Sequence, residues 1–155
     1  MFSVGEYLGV RKPKNGKFFT IAIDGRSCSG KTTLLEYLKT CYSDFTYLHG
    51  DDYFCLIQDK IFWGTFDKAR FLREVIHPLQ NGTTFTHSAF DHENKRWSTP
   101  RIEVVRTAFC MEHVFAFDLP LDWDLKIWIE APRDTCATRG INRDVEHFPH
   151  DRVIA

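Results

Sequence analysis

Residues 22–33 read AIDGRSCSGKTT, with two glycines, a lysine and a hydroxyl at fixed spacing. Gly25-Arg26-Ser27-Cys28-Ser29-Gly30-Lys31-Thr32 satisfies G-x-x-x-x-G-K-[ST]. On ordinary composition a chance match is on the order of one in a few hundred for a chain of this size, so the pattern is informative. Its context fits as well. FFTIAI (Phe18 to Ile23) is short, apolar and β-rich and reads as a buried strand. From Lys31 to Cys41, Leu34, Leu35, Leu38 and Cys41 fall on one helical face. The glycines permit backbone angles that side chains block. Converging amides and the positive end of the following helix then favour a phosphate group. On this reading Gly25, Ser27, Cys28, Ser29, Gly30, Lys31, Thr32 and Thr33 hold a nucleotide. Lys31 reaches the β- and γ-phosphates, and Thr32 offers its hydroxyl to Mg²⁺. Cys28 stands near a helix N-terminus, which lowers thiol pKa values; equally, any small residue fits there.

Outward from this loop, FTYLH (Phe45 to His49), TAFCM (Thr107 to Met111) and LKIWI (Leu125 to Ile129) read as three further strands. Asp67 is placed to cap a helix carrying Phe71, Leu72, Val75, Ile76 and Leu79, and Pro78 predicts a stop or kink near His77. Gln80 to Pro100 is polar and turn-rich and reads as a surface excursion. Ala131-Pro132 opens a last helix, to about Arg139. Strands alternating with helices predict a parallel α/β sheet covered on both faces; the architecture expected is one domain over 1–155 with a parallel sheet of about four strands, order 2-3-1-4.

The chain has 155 residues, 43% hydrophobic and 26% charged, with net charge -1. That composition suits a soluble domain with a real core. Scattered Lys and Arg argue against a nucleic-acid partner. No apolar run approaches the ~20 residues of a membrane span, and the first residues lack the apolar core of a secretory signal. Five cysteines without CxxC spacing suit reduced thiols and a cytoplasmic setting. Seven histidines show no zinc-like pairing and read as ordinary surface or core residues.

The second strand runs into LHGDDYF, which places Asp51 and Asp52 at the carboxyl edge of a parallel sheet, where α/β proteins bind ligands. With IAIDGRSCSGKTT before it, this stretch resembles the uridine kinase-like group of P-loop kinases, which includes nucleoside and nicotinamide riboside kinases. FDKARFLREVIHPLQNGTTF and AFDHENKRW are similar to the group's substrate-side segment, here about 52–100. FCMEHVFAF and DLKIWIEAPRDTCATRGINRD are similar to its third strand and to its fourth strand and lid, here about 139–150.

The resemblance implies a kinase moving the γ-phosphoryl of ATP or GTP, with Mg²⁺, to a small hydroxyl acceptor, most simply the 5′-OH of a nucleoside such as uridine or cytidine. It implies that Asp51 accepts the acceptor's proton; Asp51 could instead hold Mg²⁺ or cap the next segment. Asp52 is then a metal-side or structural carboxylate. Glu112 is placed to contact substrate or metal, or to bridge neighbouring strand ends. Tyr53, Phe90 and Asp91 are placed on the substrate, Asp91 toward sugar hydroxyls; Phe90 could equally fill core and Asp91 a turn. Arg139 and Arg143 match lid arginines that neutralise the transferring group, or form a solvated face.

The chain departs from the group in three places. His113 replaces a usual glycine and narrows the space behind Glu112. Cys136 and Gly140 stand where relatives carry arginine. The sequence stops at Ala155, where relatives continue with a helix, a fifth strand and a final helix. The last departure implies loose donor selectivity and an open sheet edge suited to a homo-oligomer. Two alternatives stay open: a non-catalytic nucleotide-binding remnant, and a kinase for another acceptor such as nicotinamide riboside, pantothenate or a nucleoside monophosphate. For the monophosphate, Arg70 and Arg73 would have to face the cleft.

Overall fold

The computed structural model describes residues 3–57, 60–91 and 96–147, with 54–65 and 144–147 described by their backbone alone. Residues 148–150 of the expected lid lie outside the described residues.

A short helix, α1 (Val4–Gly9), leads into β1 (Phe19–Gly25), the glycine loop, α2 (Lys31–Cys41) and β2 (Phe45–His49). A 3₁₀ turn at Gly50–Tyr53 opens a long excursion. It contains a hairpin of β3 (Phe54–Ile57) and β4 (Lys60–Phe66), then α3 (Lys68–Phe71), a π turn (Leu72–Ile76) and α4 (His77–Asn81). Four short strands follow: β5 (Thr84–His87), β6 (Phe90–Asp91), β7 (Arg96–Trp97) and β8 (Arg101–Val104). The chain re-enters the main sheet as β9 (Ala108–Glu112) and then β10 (Leu125–Ile129), and α5 (Arg133–His147) comes last.

The main sheet is parallel and ordered β10-β1-β9-β2. Numbering its four strands along the chain gives 2-3-1-4, the expected order. Both faces of the sheet are apolar because both are covered. Ala22, Leu48, Phe109 and Met111 pack with Phe71, Val75, Ile76 and Leu79 of the excursion. The alternate residues Ile21, Ile23, Ala108 and Cys110 pack with Leu35 and Leu38 of α2 and with Leu8 of α1. Side chains alternate between faces along a strand, so Glu112 and His49 end their strands on the α2 face.

Asp67 caps α3 as its position predicts, accepting from the Arg70 amide at 2.8 Å. Pro78 does not stop the helix at His77. The preceding turn widens to π geometry, the His77 N–H reaches back to Leu72 O, and Pro78 enters the first turn of α4, where a missing N–H costs little. The polar stretch Gln80 to Pro100 holds more structure than its composition suggests: β5 pairs with β8 and β6 with β7, each antiparallel. The last helix runs on past Arg139 to His147, so Arg139 and Arg143 share one continuous helix. Among the described residues no helix is long and apolar enough to cross a membrane.

Gly25 lies where β1 turns into the loop, with φ +148. A Cβ there would stand 2.5 Å from the carbonyl oxygen of Ile129 on β10. Gly25→Ala should therefore cost about 2 kcal/mol or more through clash and strained backbone, read as a lowered denaturation midpoint. An unchanged midpoint would mean the loop relaxes away from β10 freely.

Candidate functional site: an anion cradle at the carboxyl end of the sheet

The loop between β1 and α2 alternates backbone hands: Cys28 has φ 59 and Gly30 φ 112. Such alternation turns successive N–H groups toward one concavity, and α2 adds its N-terminal dipole. Lys31 is buried, and its ammonium donates to Gly25 O at 3.1 Å and Arg26 O at 2.8 Å, which holds it over the loop. The Ser29 hydroxyl is buried, with no hydrogen-bond partner among the described residues. An orphaned donor, an ammonium and converging amides suit an anion.

These groups line a cleft of about 930 Å³, together with Asp51, Glu112, Arg139 and Arg143. The volume lies within the range of small-ligand sites, roughly 300–1,000 Å³. α5 closes one side. Arg139 Nη1 stands 3.5 Å from both Cys28 O and Ser29 O, and the Cβ position of Gly140 is 3.5 Å from Cys28 Sγ. A Cβ at residue 140 would make only ordinary van der Waals contact with Cys28, so α5 lies against the loop there.

Opposite the loop, the 3₁₀ turn sorts the three residues after Gly50 to different sides. Asp51 faces the cleft, its side chain 51% exposed, with Oδ1 4.0 Å from His113 Nδ1. Asp52 does not join it, and the metal-side expectation for Asp52 is corrected. Its carboxylate accepts the Phe90 amide at 2.9 Å and meets His87 Nε2 at 3.1 Å, tying the turn to β5 and β6. Tyr53 is likewise corrected from substrate contact to core: it is 0% exposed, with the Phe71 ring edge-on at 5.2 Å and the Arg70 guanidinium 4.6 Å over its face. Phe90 is buried with its ring 4.7 Å from that of Trp97, so it fills core. Asp91 lies on the β6–β7 ribbon, 3.8 Å from Arg96 Nε, and is not among the described residues lining the cleft.

Glu112 ends β9 with its side chain 4% exposed. Its Oε1 accepts from Thr32 Oγ1 at 3.3 Å and lies 3.2 Å from His49 Nδ1. Thr32 and Glu112 offer hard oxygen donors side by side, which fits Mg²⁺ bound through one carboxylate and substrate phosphates.

Two contributors escaped the sequence reading. Asp24, a carboxylate inside an apolar strand, accepts the amides of Gly25 at 2.6 Å, Phe115 at 3.1 Å and Phe117 at 3.0 Å, pinning the loop after β9 to the base of the glycine loop. Its signal was a charge in an otherwise apolar run. His49, taken as ordinary, is raised above the usual histidine range, chiefly by its hydrogen bond to Glu112. His113 fills the space a glycine would leave. Its ring abuts Gly50, where any Cβ would stand 2.5 Å from it, and lies 4.6 Å from the Phe66 ring.

No protein-family model matches the sequence, and no curated protein sequence matches it. Solved structures do. A protein from Silicibacter sp. described as a candidate fructose transport system kinase aligns with TM-score 0.73 and 22% identity, over 91% of this chain and 79% of its own. A protein from Bacillus stearothermophilus described as a possible uridine kinase aligns with TM-score 0.66 and 18% identity, over 92% and 82%. At such identities the likeness is one of fold. Sheet order and loop match a P-loop NTPase-like α/β fold.

Burial pushes His87 down to about 4, with Arg101, Arg70 and His49 adding to it, and pushes His113 down to about 4 as well. Unfolded histidine takes its proton near 6.5. The unfolded chain therefore binds more protons between pH 6.5 and 4, and stability is full above that window and lost as pH falls through it. His49 shifts the opposite way, and most of its contribution is already present at pH 6.5. From pH 6.5 to 5.5 each buried histidine should remove about 1 kcal/mol. Thermal melts should show this decline, shallower in His87→Phe; a flat profile would contradict the burial of neutral imidazoles.

Proposed function

We propose that this chain is a small-molecule kinase that transfers the γ-phosphoryl of ATP or GTP to a ribose-type hydroxyl, most simply the 5′-OH of a nucleoside such as uridine or cytidine, in a cytoplasmic setting. The observation that carries this reading is Asp51: a half-exposed carboxylate at the carboxyl end of β2, lining the same cleft as Lys31 and Thr32. A sugar hydroxyl is a weak nucleophile, and a positioned carboxylate accepts its proton as the oxygen attacks in line. A bond forms between acceptor oxygen and γ-phosphorus, and the bond from that phosphorus to the bridging oxygen breaks, leaving the electron pair on the nucleoside diphosphate. Loop amides and Lys31 hold the β- and γ-phosphates. Arg139 and Arg143 lie on the lid side, where guanidinium groups offset charge on the transferring group. Thr32 and Glu112 would hold Mg²⁺, which when bound would supply charge neutralisation on the nucleotide phosphates.

A monophosphate acceptor is less well supported. It calls for arginines on the acceptor side of the cleft, whereas Arg70 is committed to Asp52 O at 2.9 Å, Ser88 O at 3.2 Å and Glu74 Oε2 at 2.9 Å. Arg73 is exposed beside Glu74. Neutral acceptors with a flat ring or a primary hydroxyl remain the better class.

A screen for nucleoside-dependent ADP release over nucleosides, nicotinamide riboside and pantothenate tests the reading. Asp51→Asn should lower transfer by about 10²–10⁴-fold with nucleotide affinity within about threefold of wild type. Nucleotide binding without transfer to any acceptor would instead leave a nucleotide-binding protein.

A further inference from the structure

Glu112 needs help to stand where it does. A carboxylate only 4% exposed is costly unless donors meet it. Two do, and both meet the same oxygen: Thr32 Oγ1 at 3.3 Å and His49 Nδ1 at 3.2 Å. Contact from two directions at Oε1 fixes rotation about the last side-chain torsion, and with it the position of Oε2.

The sheet register makes this arrangement rigid. His49 and Glu112 are direct partners on the neighbouring parallel strands β2 and β9, and both end their strands on the α2 face. The far edge of the imidazole is held too. Nε2 lies 3.1 Å from Glu36 Oε1 and 3.1 Å from Lys39 Nζ, and these two meet each other at 2.6 Å. Thr32, Glu36 and Lys39 stand four and three residues apart on α2, along one face of the helix whose N-terminus forms the cradle. The ring is thus wedged between the phosphate-loop helix and the carboxylate at the end of β9.

We infer that His49 is a positioning residue of this site: its Nδ1–H orients the Glu112 carboxylate beside the Thr32 hydroxyl so that the pair receives the divalent cation of a metal–nucleotide complex. This inference rests on the kinase reading for its ligand but assigns His49 no contact with substrate. Partners that orient metal-ligating groups typically affect metal affinity by about 10–100-fold.

The test is equilibrium binding of a fluorescent ATP analogue at increasing Mg²⁺, for wild type, His49→Ala and His49→Asn. An asparagine amide can place an N–H where Nδ1–H stands but cannot fill the ring's volume. His49→Ala should need about tenfold more Mg²⁺ to reach the same nucleotide affinity, with affinity in EDTA unchanged within about twofold. His49→Asn should recover most of the Mg²⁺ response. A His49→Ala protein with the wild-type Mg²⁺ dependence overturns the inference, and so does His49→Asn failing as His49→Ala does, since lost packing would then explain both. Wild-type protein that binds the analogue with Mg²⁺ enhancement yet transfers to no acceptor removes the kinase reading while the His49 comparison still decides the inference. Wild-type binding without Mg²⁺ enhancement overturns the inference directly.

Discussion

The site depends on one close approach. Where β1 ends, the main chain at Gly25 passes so near the Ile129 carbonyl that there is no room for a side chain. That proximity lets the chain turn back over the sheet within a few residues and start α2 with its N-terminus above the carboxyl ends of the strands. Asp24, one residue earlier, accepts three amides and fastens the loop after β9 to the same point. Neither feature belongs to the cleft surface, yet both decide where the loop amides and Lys31 point. The loop's two left-handed residues, Cys28 and Gly30, complete the concavity.

From that anchor the chemistry is distributed by strand ends. β2 brings His49 and, through the 3₁₀ turn, Asp51; β9 brings Glu112; β1 brings the loop itself. Parallel strands put all three carboxyl ends on one side. The cleft therefore combines a positive wall of amides, Lys31 and the α5 arginines with two carboxylates of unlike surroundings. Glu112 is buried and doubly donated to, which suits a fixed oxygen donor. Asp51 is half exposed and 4.0 Å from His113, which suits a group that exchanges a proton with an incoming hydroxyl.

Much of this could be read from sequence because it rests on local rules. The glycine spacing gave the loop, the apolar runs gave four strands, Asp67 gave a cap, and alternation of strands with helices gave a parallel sheet covered on both faces. The Asp51 and Glu112 positions followed from strand ends. Other features were illegible for physical reasons. Asp51, Asp52 and Tyr53 are adjacent in sequence, and only the tight turn decides that the first faces the cleft while the others face β5, β6 and Phe71. The strands between Thr84 and Val104 are two to four residues long, too short for an alternating pattern to stand out. The π turn before Pro78 leaves no mark in composition. His49 gains its role from cross-strand register, which no single strand records.

The central claim is that the β1–α2 loop is a triphosphate cradle facing Asp51. A crystal structure with Mg²⁺ and a non-hydrolysable ATP analogue tests it most directly. The account predicts the β-phosphate within about 3 Å of the loop amides, the Lys31 ammonium on the β- and γ-phosphates, and the γ-phosphate directed at Asp51. An analogue bound away from the loop, or seated with its terminal phosphate turned from Asp51, would contradict it.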